Sequence, residues 1–148
     1  MSNSRNLSFF ADNVGSTGAI FSAQEIVTVS ATAATGTVNF DASTQSVLYY
    51  TANASANWTL NVRGNSTTTL NTVMTTGQSL TIAFLATQTT TAYYASAFTI
   101  DGTSVTPKWQ GGTAPASGNA SGIDAYTYTI IKTGSAAFTV LAAQTQFK

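Results

Sequence analysis

Residues 57–64 read NWTLNVRG. Trp58, Leu60 and Val62 alternate with Thr59, Asn61 and Arg63, and a period of two is that of a β-strand with one dry and one wet face. The run AYTYTIIK (125–132) repeats the device, setting Tyr126, Tyr128 and Ile130 against Thr127 and Thr129. Working outward, EIVTVS (25–30), GTVNFD (36–41), SVLYYTA (46–52), QSLTIAFLA (78–86), TAYYASAFTI (91–100), TSVTPKW (103–109) and AAFTVLAAQTQF (136–147) are short runs rich in Val, Thr, Ile and aromatics, separated by Gly, Asn, Asp and Ser. Such runs are strands.

The turns agree with this reading. Asp101-Gly102 sits between two runs and predicts a type I′ hairpin, which needs positive φ at both central residues. A second hairpin is expected around Gly134. Only TTTLNTVMTTG (67–77) has helical spacing, with Leu70, Val73 and Met74 at i, i+3 and i+4, and two turns are the most it allows. Many short strands joined by tight turns predict an all-β domain over residues 23–148, an antiparallel β-sandwich or jelly-roll-like barrel. Residues 1–22 have no sustained period and form an extended N-terminal arm. Phe9, Phe10, Ile20 and Phe21 are too apolar to be left in water, so the arm is read as an attachment segment, with a β-domain that folds without it.

Composition narrows the function. Charged residues are 7% of the 148, against about 25% in ordinary domains. Arg5, Arg63, Lys108, Lys132 and Lys148 are scattered, so no basic surface for nucleic acid is expected. With so little charge, solubility rests on Thr, Ser, Asn and Gln, which suits a protein packed in an assembly. The chain has no Cys and no His, which excludes disulfides, thiolate nucleophiles, Cys/His zinc sites and His-dependent triads. Stability should accordingly be nearly flat from pH 5 to 8. No secretory signal and no membrane-spanning segment is read in the sequence.

The carboxylates also have local explanations. Asp12 lies in the arm, Asp41 and Asp101 begin turns and Asp124 borders a loop, where short acceptor side chains bond nearby backbone. A glycosidase pair or a calcium loop is therefore not expected. Lys132-Thr133-Gly134 lacks the Ser-x-x-Lys partner of penicillin-binding enzymes, and no cofactor or metal ligand set is called. Trp58 faces the core. Trp109 stands at the mouth of a long Gly-, Ala- and Ser-rich loop, and Lys108, Trp109, Gln110 and Asp124 are the candidate contact-loop residues.

The pieces Asn57-Trp58-Thr59-Leu60, Ile100-Asp101-Gly102, Val105-Thr106-Pro107-Lys108-Trp109-Gln110-Gly111-Gly112 and Ile130-Ile131-Lys132-Thr133-Gly134 carry a resemblance. Residues 45 to 148 resemble a domain found repeatedly in virion structural proteins of tailed marine bacteriophages, especially those infecting cyanobacteria. The opening SNSRNL (2–7) is similar to that of fibre-like proteins from such phages. The resemblance implies a non-enzymatic particle component, assembled in the host cytoplasm, whose partners are other virion proteins and itself. Capsid surface, neck, baseplate and fibre all stay open. The short arm favours a decoration or accessory protein, and a homotrimer is expected by analogy with phage fibres and decorations. The alternative is a receptor-binding module that reads host-surface glycans through Trp109.

Overall fold

The computed structural model of the chain describes residues 25–148, so the arm with Phe9, Phe10, Ile20 and Phe21 lies outside the described residues. The strands are β1 (Val27–Ala33), β2 (Gly36–Asp41), β3 (Val47–Asn53), β4 (Trp58–Arg63), β5 (Ser79–Thr87), β6 (Ala95–Ile100), β7 (Thr103–Ser104), β8 (Lys108–Trp109), β9 (Ile123–Gly134) and β10 (Ala137–Phe147). A short helix α1 (Leu70–Val73) precedes β5, and a 3-10 turn (Gln110–Gly112) follows β8. Each apolar–polar run of the sequence becomes a strand. The run 103–109 splits into β7 and β8 ahead of Lys108, because Pro107 has no N–H to give to a ladder.

The strands form a larger sheet of six, in the order β1-β3-β5-β9-β10-β8, and a smaller sheet of four, β2-β4-β6-β7. The described residues are mostly β, as expected, but the antiparallel pairing expected of them is corrected here, because both sheets are mixed. β1, β3 and β5 pair in parallel, as do β2, β4 and β6, and β8 lies parallel to β10. Antiparallel pairing is confined to β5–β9, β9–β10 and β6–β7. The cause is that from β1 to β6 the chain changes sheet at every connection. Ala34 and Thr35 alone separate β1 from β2, yet these strands belong to different sheets. The next strand of each sheet therefore arrives after a full circuit, running in the same direction as its neighbour.

The sheets face each other across one core. From the smaller sheet come Val38, Phe40, Trp58, Leu60, Val62, Phe98 and Ile100, and from the larger Leu48, Ile82, Phe84, Tyr126, Tyr128, Ile130 and Val140. Trp58 is 1% exposed and lies edge-on to both Phe84 (5.8 Å) and Tyr126 (5.7 Å), while Phe98 stacks on Tyr128 at 4.6 Å. Such aromatic pairs add about 0.5–1.5 kcal/mol each beyond the apolar area they bury.

Both expected hairpins form. Asp101 (φ 52°) and Gly102 (φ 79°) take the left-handed conformation of a type I′ turn, and Ser135-Ala136 joins β9 to β10. The helical segment makes a single turn, with Leu70 and Met74 buried and Val73 exposed. A helix this short needs help from outside. Both Asp101 carboxylate oxygens accept from its first amides, Leu70 N–H (2.6 Å) and Asn71 N–H (2.9 Å). At the other end the Lys132 ammonium donates to the carbonyls of Asn71 and Met74. Negative charge at the N-terminus and positive at the C-terminus is the favourable sense of the helix dipole.

Candidate functional site

The long loop after β8 was the sequence candidate for contact. It opens with Gly111 (φ 77°) and Gly112 (φ 82°), left-handed positions that turn the chain out of the sheet. It then runs to β9 without regular structure.

The structure separates the four candidate residues. Lys108 is exposed. Trp109 is half-buried and pairs in register with buried Ala142, which directs its side chain toward the inner face of the larger sheet. Its ring meets Tyr128 edge-on at 5.9 Å, beside a hollow of about 70 Å³ walled by Phe98, Pro107, Pro115 and Tyr128. Gln110 is exposed at the start of the 3-10 turn.

Asp124 is the correction among the candidates, because it is 0% exposed and cannot touch a partner. It accepts from Gln88 Nε2 (2.8 Å) and from Asn119 N–H (3.0 Å to Oδ2, 3.2 Å to Oδ1). Gln88, itself buried, donates through the same nitrogen to the Tyr93 carbonyl (2.6 Å) and accepts from Tyr93 N–H at 3.0 Å. Asp124 and Gln88 thus tie the end of the loop to the β5–β6 connection.

Further bonds complete the attachment. Asn119 Nδ2 donates to the Phe147 carbonyl (3.0 Å), and Gln144 Nε2 to the Ser117 carbonyl (3.2 Å) and the Tyr126 hydroxyl (3.0 Å). The loop backbone adds Ser121 N–H to the Thr89 carbonyl at 2.8 Å. Gly118 has to be glycine, because a Cβ there would collide with the Tyr93 carbonyl and stand 2.6 Å from Asp124 Oδ2. The loop is a fastened cover over the end of the core. Burial, and then the nearby Asp124 charge, push the Tyr126 phenol well above its ordinary pKa, and burial does the same to Tyr128.

The sequence held no sign of Gln88, which lies in the polar run Thr87–Thr91 and reads as loop. Lys132 was also missed, since an alternating strand assigns it to a face without saying whether that face is covered.

Asp41 and Arg63 form a further pair, Arg63 Nε donating to Asp41 Oδ1 at 2.6 Å, while Lys108 and Lys148 are exposed. Among the described residues no three His, Cys, Asp or Glu side chains come together as a metal would need, and no helix is long and apolar enough to cross a membrane. An open hollow of about 620 Å³ is lined by Asn53, Thr87, Gln88, Ile123, Phe147 and Lys148, hydroxyl, amide and apolar groups with a single ionisable side chain among these six. A second, of about 420 Å³, lies by Lys108, Thr127, Thr129 and Leu141. Compared with protein-family models, curated proteins and solved structures, the chain matches none of them.

Proposed function

We propose that this chain is a non-enzymatic structural component of a tailed-phage virion, a decoration, neck or tail accessory protein that attaches to the particle and presents its β-domain. The observation that carries the reading is the use made of charge. Asp41 with Arg63, Asp101 and Lys132 at the ends of α1, and Asp124 under the loop all hold the fold. A chain with so few ionisable groups, five of which (Asp41, Arg63, Asp101, Asp124 and Lys132) are tied into the fold, offers surface rather than chemistry. The resemblance of residues 45–148 to virion domains supports the same reading, with attachment through residues 1–22, contacts to other virion proteins and to further copies, and assembly in the host cytoplasm. Threefold assembly is the expectation by analogy with phage fibres and decorations.

The glycan-binding alternative asks Trp109 to offer its ring to a sugar. Its inward register and its contact with Tyr128 weigh against that role and favour packing under the loop. Mass spectrometry and electron microscopy of purified particles test the proposal. The chain is expected at a fixed copy number and a defined position. Its absence from intact particles, with abundant free protein in the lysate, refutes it.

A further inference from the structure

The outer faces of the two sheets differ in kind. On the smaller sheet the outward row Asn39–Asn61–Thr99 is joined by side-chain hydrogen bonds of 2.8 Å, and the neighbouring pair Asp41–Arg63 is ionic. That is a face built for water. On the larger sheet the rows across the strands read Val29–Tyr49–Leu85–Ala125–Thr145 and Val27–Val47–Ala83–Thr127–Ala143. The next positions add Thr81, Thr129 and Leu141, and the threonine hydroxyls hydrogen-bond each other at 3.1 Å. No outward position of β3, β5, β9 or β10 in these rows, nor Val27 or Val29 of β1, carries a charge, and Lys108 stands at the far edge. Four of the six large exposed apolar side chains among the described residues, Val27, Val29, Leu141 and Phe147, lie on this face.

We propose that the outer face of the larger sheet is an interface between two copies of this chain, packed sheet on sheet about a twofold axis. Its occupant is a second copy because the face complements itself. Its rows carry no charge on either side, so no ion is stripped of water on closure, and the Thr81 and Thr129 hydroxyls already partner each other. Strands β1, β3, β5, β9 and β10, with β5 nine residues long, span roughly 24 by 30 Å at about 4.8 Å between strands and 3.3 Å per residue. That is about 700 Å² per copy and about 1,400 Å² in all, within the roughly 1,200–2,000 Å² of stable protein contacts. Self-pairing of one patch is isologous and closes as a dimer, in place of the trimer expected by analogy. The inference does not depend on the particle assignment.

Sedimentation of the purified full chain tests it. The expected mass is twice 15.3 kDa at micromolar concentration. The double variant Val29→Lys, Leu141→Lys changes two side chains exposed on the single chain, so its circular dichroism is expected to stay unchanged and its melting temperature to fall only by what the lost association contributed. Its dimer should weaken at least about a hundredfold, because each lysine would be buried against apolar surface. Asn39→Lys, on the opposite face, serves as the control and should leave the dimer intact. A wild-type monomer, a trimer, or a dimer that survives the double variant each overturns the proposal.

Discussion

Replacing Asp124 with alanine removes the acceptor that the loop is built around. Asn119 N–H loses both of its contacts to the carboxylate, while Gln88 Nε2 keeps only the Tyr93 carbonyl. Loss of charge-assisted bonds and one stranded donor costs about 2–4 kcal/mol. For a domain of this size that lowers the melting temperature by about 6–12 °C, at roughly 3 °C per kcal/mol. Thermal denaturation followed by circular dichroism measures the shift, and limited proteolysis should find new cleavage between residues 110 and 122. Asp124→Asn keeps the volume and one acceptor oxygen, so it should cost about half as much. Combining Asp124→Ala with Gln88→Ala should show a coupling of about 1 kcal/mol, because each deletion leaves part of the same network unpaired. A melting temperature within 2 °C of wild type, with the loop no easier to cut, would refute the view that this network fastens the loop.

Lys132→Met should destabilise by about 2–3 kcal/mol, since the carbonyls of Asn71 and Met74 lose their donor. Hydrogen exchange over residues 70–76 should rise more than in the sheets. Gly118→Ala should cost about 2–4 kcal/mol in chemical denaturation, as its methyl group meets the Tyr93 carbonyl and Asp124. Alkaline titration should also unfold the protein. Tyr126 and Tyr128 have raised pKa values in the fold, so above about pH 10 the unfolded chain sheds protons that the folded chain keeps. Stability then falls by about 1.4 kcal/mol per pH unit for each phenol. Absorbance at 295 nm should show both ionising together with unfolding, and independent ionisation in the folded protein would contradict their burial.

The strands were legible in the sequence because side-chain alternation is local. Trp58, Leu60 and Val62 had to share a face wherever β4 ended up, and that face is the core. The turn at Asp101-Gly102 and the existence of a hairpin near Gly134 were legible for the same reason, backbone conformation being set over two or three residues, although that second turn falls at Ser135-Ala136 with Gly134 still in β9. Neighbourhood is different. Alternation says which side of a strand is dry and not which strand lies beside it, so only the tertiary structure decided that β1 leads into the opposite sheet and pairs in parallel with β3. It alone also brought Gln88 to Asp124, 36 residues apart, and Lys132 to the end of α1. A polar side chain is drawn into the interior by partners distant in the chain, and one-dimensional order carries no record of those distances.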